Sequence, residues 1–371
     1  MKFTKFFALL CAAAVGFAGC EAVENKNGKP TPNPTPEPSG NITLAVDKTT
    51  LQLGDSVTFT VTDAEGNDLT ASASFYTVDL DKVANPYTPA ASGSYTFYAT
   101  VGAESSNNVT ITVMAQMPEV PADPQPDNLK FNHRGLFIDN TGVGCGYCPS
   151  VVDIFRSLEK TDAHQHYHEV QVHAGPYASG DPANSDAANK VNGFYNPSSY
   201  PDVRLNFYGG NLSRSVKGFT DALMSYIKED GADVGISLAV DGDATSIYCA
   251  AQVKAAKAQE YKVVAWLLES GIISPSQSGA TKDYHKIYNY ALRNISGEYS
   301  KTNISGESIG VLSEGQTHDC ALKLDMIGTK WKYENMGVLV IVSAKDSQGR
   351  WEVANAAYCA LGESKAFEYV E

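Results

Sequence analysis

Beyond its first twenty residues, the 371-residue chain has no run of apolar residues long enough for a membrane helix, which needs about 20 in succession. Nor has it an excess of positive charge. The 28 Lys and Arg stand against 42 Asp and Glu, a net charge of −14, and this argues against nucleic acid or an anionic membrane surface as an electrostatic partner. No Gly-x-Ser-x-Gly elbow marks a serine hydrolase. Cysteine is sparse, at 7, and Cys-x-x-Cys occurs once, so the second pair that would complete a four-cysteine zinc site is missing. Neither a metal nor another cofactor is expected.

What is present begins with an address. Lys2 and Lys5 precede an apolar run from Phe6 to Ala18, too short for a stable membrane anchor, and this reads as a signal peptide over residues 1–19. The small residues before Cys20 resemble a bacterial lipobox, which implies that Cys20 is lipidated and becomes the first mature residue. The protein would then be anchored to a membrane through Cys20 rather than span it. A plain secretory signal with an incidental cysteine is the alternative.

Pro30, Pro32, Pro34, Pro36 and Pro38 make residues 20–40 a stiff extended tether. From residue 41 to 115 apolar residues alternate in short runs, such as Ile42/Leu44/Val46, Val57/Phe59/Val61, Tyr95/Phe97/Ala99 and Val109/Ile111/Val113. Turn signals such as Ser92-Gly93 separate them. The stretch reads as an immunoglobulin-like β-sandwich and resembles the bacterial Ig-like modules that space out surface proteins. It holds no catalytic set, and Asp79, Asp81 and Lys82 read as a solvated loop. Pro118, Pro121, Pro124 and Pro126 mark a second linker at 116–128. Residues 129–232 mix strand and helix periods, and residues 233–371 return to strands and read as a second β-sandwich. The expected fold is therefore multidomain: an all-β Ig-like sandwich, an α/β domain, then an all-β sandwich.

The specific chemistry lies in Thr141-Gly142-Val143-Gly144-Cys145-Gly146-Tyr147-Cys148-Pro149. The buried-strand pattern Gly135 to Asp139 precedes it, and Val151, Val152, Ile154, Phe155 and Leu158 recur at helical spacing after it. Cys145 is thus expected where a strand hands over to a helix, whose unpaired N–H groups and dipole would favour a thiolate. Cys148 is placed to close a disulfide, and Pro149 fits a first helical turn. The pair could equally be a structural bridge. A further strand, Glu169 to Ala174, leads into an insertion with Asp181 and Asp186, and Tyr200-Pro201 precedes the alternating Val203, Leu205 and Phe207.

This arrangement resembles the thioredoxin superfamily. The resemblance implies an acidic residue, here Asp139, handling protons beneath a Cys145–Cys148 disulfide, and a cis-proline, here Pro201, facing the cysteines. More narrowly, Asp-x-Thr-Gly-x-x-Cys-x-x-Cys-Pro followed by Val170 to His173 looks like the Omp-twenty-eight-related outer-membrane lipoproteins of Bacteroidetes. Asn140 stands where that pattern has an aromatic residue. Asp283 to Asn289 and Val353 to Ala356 look like further signatures of the family, without a derivable chemistry.

Two functions follow as expectations. In the first, an outer-membrane-anchored lipoprotein exchanges thiols and disulfides with envelope proteins: Cys145 attacks, Cys148 resolves, Asp139 assists proton transfer, and Tyr200 with Pro201 orients the substrate. In the second, the α/β domain is a non-catalytic scaffold in a binding or adhesion protein with a surface ligand, and the disulfide is a staple. The side of the membrane is undetermined, with Glu21 and Glu24 hinting at surface export. The remaining cysteines, Cys249, Cys320 and Cys359, fall on strand patterns as small core residues. His164, His166 and His168 form a His-x-His-x-His run that could bind a transition metal on one strand face, although an exposed polar edge is the plainer reading. His133 and His173 fall on strands that could neighbour the cysteines. The 20 tyrosines suit strand faces or a binding surface.

Overall fold

The structure is a computed structural model and describes residues 40–114, 117–328 and 330–370. The signal peptide at 1–19, Cys20 and the tether to residue 39 lie outside the described residues. The chain divides into two units, residues 1–114 and 115–371.

In the first unit the strands are β1 (Ile42–Val46), β2 (Thr50–Gln52), β3 (Phe59–Asp63), β4 (Ser74–Thr77), β5 (Lys82–Val83), β6 (Gly93–Val101), β7 (Glu104–Ser105) and β8 (Val109–Met114). β1 and β3 pair antiparallel; the others form a second sheet in the order β2-β8-β6-β4-β5, with β7 on β6. Period-two alternation puts Leu44, Phe59 and Val61 inward against Phe75, Phe97 and Ile111 of the second sheet, and the Phe59 ring lies 5.0 Å from both Phe75 and Phe97. Lys82, expected in a loop, sits in the short edge strand β5, with its side chain in solvent.

The second unit continues with β9 (Gly135–Thr141), α1 (Pro149–Leu158), β10 (Tyr167–His173), α2 (Asp186–Tyr195), β11 (Asp202–Leu205), α3 (Val216–Tyr226), β12 (Val234–Gly242), β13 (Ser246–Ala255) and β14 (Gln259–Glu269). After these come β15 (Ile272–Ile273), β16 (Ile287–Tyr288), β17 (Ala291–Ile295), β18 (Glu307–Leu312), β19 (Thr317–Asp325), β20 (Met336–Lys345), β21 (Trp351–Ala360) and β22 (Ser364–Lys365). β9 is buried on both faces, as an interior strand between helices must be. Phe137 points to α1 and α3, where it meets Phe155 and Phe219; Leu136 and Ile138 point to α2 and Val191.

The boundary expected between residues 232 and 233 is corrected by the sheet. Strands from both sides of it form one eight-stranded sheet, β11-β9-β10-β17-β14-β20-β21 with β18 on β14. The join is the parallel contact of β10 with β17, at Gln171 and Ala291. The physical reason is shared burial: Leu136, Val172 and Val191 lie in one core with Trp266, Leu292 and Ile341, so neither half could expose that face alone. The opposite face of β14 and β20 packs on the four-stranded sheet β19-β13-β12-β22, so a sandwich is present, but one of its layers continues into the α/β part.

Asn355 fastens the same seam. Its Oδ1 accepts the Arg134 N–H at 3.0 Å, and its Nδ2 donates to the carbonyls of Asn132 (3.0 Å) and Val234 (2.8 Å). Asn355→Ala leaves these buried groups unpaired, and a loss of about 2–3 kcal/mol is expected in denaturant unfolding. This gives the Val353 to Ala356 segment a structural task.

Candidate functional site

β9 ends at Thr141 and α1 begins at Pro149, so the motif fills the turn between them; Cys148 is the residue capping α1, and Cys145 lies one turn ahead of the helix rather than at its start. Cys145 and Cys148 are joined by a disulfide, with Cα atoms 5.5 Å apart. The loop before it is held twice. Val143 N–H donates to Asp181 at 2.7 Å, and Gly144 N–H to the Tyr177 carbonyl at 2.9 Å. Gly142 is required because a Cβ there would press within 2.8 Å of the Tyr177 backbone.

Asp139 points to the α1 side of β9 and is 2% exposed. It shares a cavity with Cys148, Pro149, Gln171, His173, Gln277, His285 and Tyr288. At about 10 Å³ this space holds one water at most, so it is no ligand pocket. Its Oδ1 has no hydrogen-bond partner among the described residues. Burial first, then the Glu169 and Asp202 carboxyls, push the Asp139 carboxyl well above its ordinary range. Burial likewise raises Glu169 to about 8.

Pro201 follows a cis peptide bond at Tyr200-Pro201. The register of β11 on β9, with Asp202 opposite Asn140, places it at the end of β9 that enters the cysteine loop. The Tyr200 hydroxyl accepts from Asn192 at 2.7 Å, and its ring lies 5.4 Å from Tyr177. Asn140 is buried in polar company: its Oδ1 accepts from Asn192 at 3.2 Å, and its Nδ2 donates to Asp202. That network is what replaces the aromatic residue expected there.

Of the motif, only Gly144, Gly146 and Tyr147 reach solvent freely: Tyr147 is 74% exposed, Cys145 2% and Cys148 3%. The cover comes from far along the sequence. The short strands β15 and β16 pair and close a loop, Ser274–Lys286, that lies over the cysteines. Ser278 N–H donates to the Val143 carbonyl at 2.8 Å, and Gln277 Nε2 to the Cys145 carbonyl at 3.1 Å. Tyr288 hydroxyl fixes Gln277 at 2.6 Å. Nothing local in the sequence announces these contacts, which span some 130 residues; Asp181, Gln277 and Tyr288 were not legible as site residues.

The histidines divide. His173 donates from Nδ1 to Asp181 at 2.8 Å and lines the cavity beside Cys148. His133 accepts from the Lys228 N–H at 2.9 Å, and burial, with Lys228 nearby, lowers it to about 4. His164 and His166 fall in a 3-10 turn, Asp162–His166, and only His168 is on β10, so the three do not share one strand face. Cys249 and Cys359 are free and buried in the sandwich core, with Cys320 at its edge, and burial raises both Cys320 and Cys359 to about 11. Thiols held protonated in this way are poorly reactive.

Fold and site together define a β-rich, multi-unit protein with one disulfide, among the described residues, at the end of an interior strand of a sheet, and no described helix is long and apolar enough to cross a membrane. Residues 188–365, just under half of the chain, match the model of the family described as outer membrane protein Omp28, and the location of the protein is the outer membrane. Among solved structures it is similar to HBP35 of Porphyromonas gingivalis, at 16% identity and a TM-score of 0.52, over 64% of this chain and 78% of that one. At that identity the likeness speaks for the fold alone. The Yersinia pseudotuberculosis adhesin InvE aligns over 87% of this chain and 61% of its own, at 10% identity, with a TM-score of 0.20 that carries no argument. No match emerges among curated protein sequences.

Proposed function

We propose that residues 129–232 form the thioredoxin-like part of an outer-membrane lipoprotein, anchored through Cys20, and that Cys145 and Cys148 exchange disulfides with envelope proteins. The observation that carries this reading is Asp139. A buried carboxyl with an unpaired oxygen costs several kcal/mol, and a purely structural disulfide has no use for one beneath it. In the reduced pair, the Cys145 thiolate attacks a partner disulfide, forming a mixed disulfide and releasing one partner thiolate. Asp139 takes the Cys148 proton, Cys148 attacks Cys145 Sγ, and the second partner sulfur leaves as a thiolate. The Cys145–Cys148 bond forms and two electrons pass to the partner. In reverse, a partner dithiol is oxidised and Asp139 returns the proton. The exposed Tyr147, with Arg214 5.8 Å over its ring, and Tyr177 beside Tyr200 offer the contact surface.

One observation favours the second reading, a scaffold stapled by this disulfide: both sulfurs are covered. The reduction potential of the full chain in detergent, by equilibrium with glutathione or dithiothreitol, decides between them. A reversible potential within about −120 to −270 mV is expected; one below about −300 mV would establish the staple. Cys145→Ser is expected to abolish exchange, and retained activity in that variant would refute the assignment.

A further inference from the structure

We infer that the loop Ser274–Lys286 is an autoinhibitory strap: it occupies the place of a partner's extended chain over Cys145, and Asp153 on α1 latches it shut. This rests on the exchange reading above. The strap meets the cysteine loop as a bound peptide would, through one backbone hydrogen bond, Ser278 N–H to the Val143 carbonyl, and one side-chain bond, Gln277 to the Cys145 carbonyl. Gly279 touches the Gly146 peptide so closely that a Cβ would collide with its carbonyl oxygen, and its φ of +70° also favours glycine. A thiolate must reach sulfur directly, and Cys145, 2% exposed beside these contacts, admits none from a folded partner.

The latch explains the Asp283 to Asn289 signature. Asp153 Oδ1 accepts from Tyr284 hydroxyl at 2.6 Å, Lys282 Nζ at 2.9 Å and His285 Nε2 at 3.1 Å, while the Arg156 guanidinium lies 4.2 Å over the Tyr284 ring. His285 Nδ1 accepts the Thr281 N–H at 3.2 Å, so the ring's Nε2 carries the proton given to Asp153. One carboxylate thus gathers three strap side chains onto the helix that Cys148 caps. Two contacts hold the strap to the motif and this cluster holds it to the helix, so the strap can lift as a unit about its β15 and β16 stem.

The test is the rate at which dithiothreitol reduces Cys145–Cys148 in the full chain, read by quenching with an alkylating reagent and mass spectrometry. Asp153→Asn weakens the latch, and Gly279→Ala pushes the strap from the motif without touching α1. Each is expected to speed reduction roughly 10- to 100-fold. A rate within twofold of the parent in either variant, with an unchanged far-ultraviolet spectrum, overturns the strap. Equilibrium with glutathione, measured alongside, tests the exchange reading separately. A pair that stays oxidised there in every variant defeats that reading, whatever the ratio of rates.

Discussion

Glu269→Ala is expected to lower the unfolding free energy of residues 115–371 by about 3–5 kcal/mol, the largest effect of any single change outside the cysteines. Arg293 is 2% and Glu269 3% exposed at the side chain, and Arg293 Nε reaches Glu269 Oε2 at 2.7 Å. Glu269 Oε1 also accepts the Lys332 N–H at 3.2 Å, and the guanidinium lies 5.4 Å over the Trp331 ring. Removing the carboxylate strands a buried guanidinium that cannot shed its proton. The double variant Glu269→Leu with Arg293→Met should recover most of the loss, because the cost comes from the orphaned charge more than from the missing bond. The three tryptophans, Trp266, Trp331 and Trp351, all lie in the second unit, so their fluorescence during denaturant unfolding reports on that unit alone. A loss under about 1 kcal/mol would mean that water reaches the pair.

Glu269 and Arg293 stand on β14 and β17, which carry the sheet from its α/β part into the sandwich, and there the sequence was least readable. Alternation within Ile42/Leu44/Val46 and the continuous apolar run Leu136 to Ile138 are local properties, and burial follows each strand by strand. The β10 to β17 junction rests on one residue pair 120 positions apart, and Val172 reads alike whether its neighbour is Trp266 or a helix. A domain boundary at residue 232 was therefore a fair reading of the composition, yet it cut a continuous core. The cysteine motif shows the same division. Its spacing, Pro149 and Asp139 were visible; the strap was not, because Gln277 and Ser278 sit in a polar stretch indistinguishable from any surface loop. Asp283 to Asn289 stood out as a pattern, but its chemistry needs Asp153, which reads as an ordinary solvent-facing helix residue until Tyr284 is seen beside it.

Asp139→Asn is expected to move activity and stability in opposite directions. Asp139 holds its proton in the folded chain at pH values where the unfolded chain has lost it, since burial and the Glu169 and Asp202 carboxyls raise it well above the ordinary value near 3.9. The folded state then binds more protons, so what this group contributes to stability is fully present below pH 3.9 and is lost as pH rises towards the folded value. Asparagine removes that titration. The variant should match the parent near pH 4 and exceed it by a margin that grows as pH rises to 8, in urea unfolding followed by tryptophan fluorescence. Exchange should fall about 100-fold, because Cys148 loses the group that takes and returns its proton. A residue kept for packing or hydrogen bonding would lose stability on substitution and leave the pH profile of exchange unmoved. If the asparagine variant proves less stable at pH 8, or exchanges at the parent rate, Asp139 is a structural residue and the disulfide above it a staple.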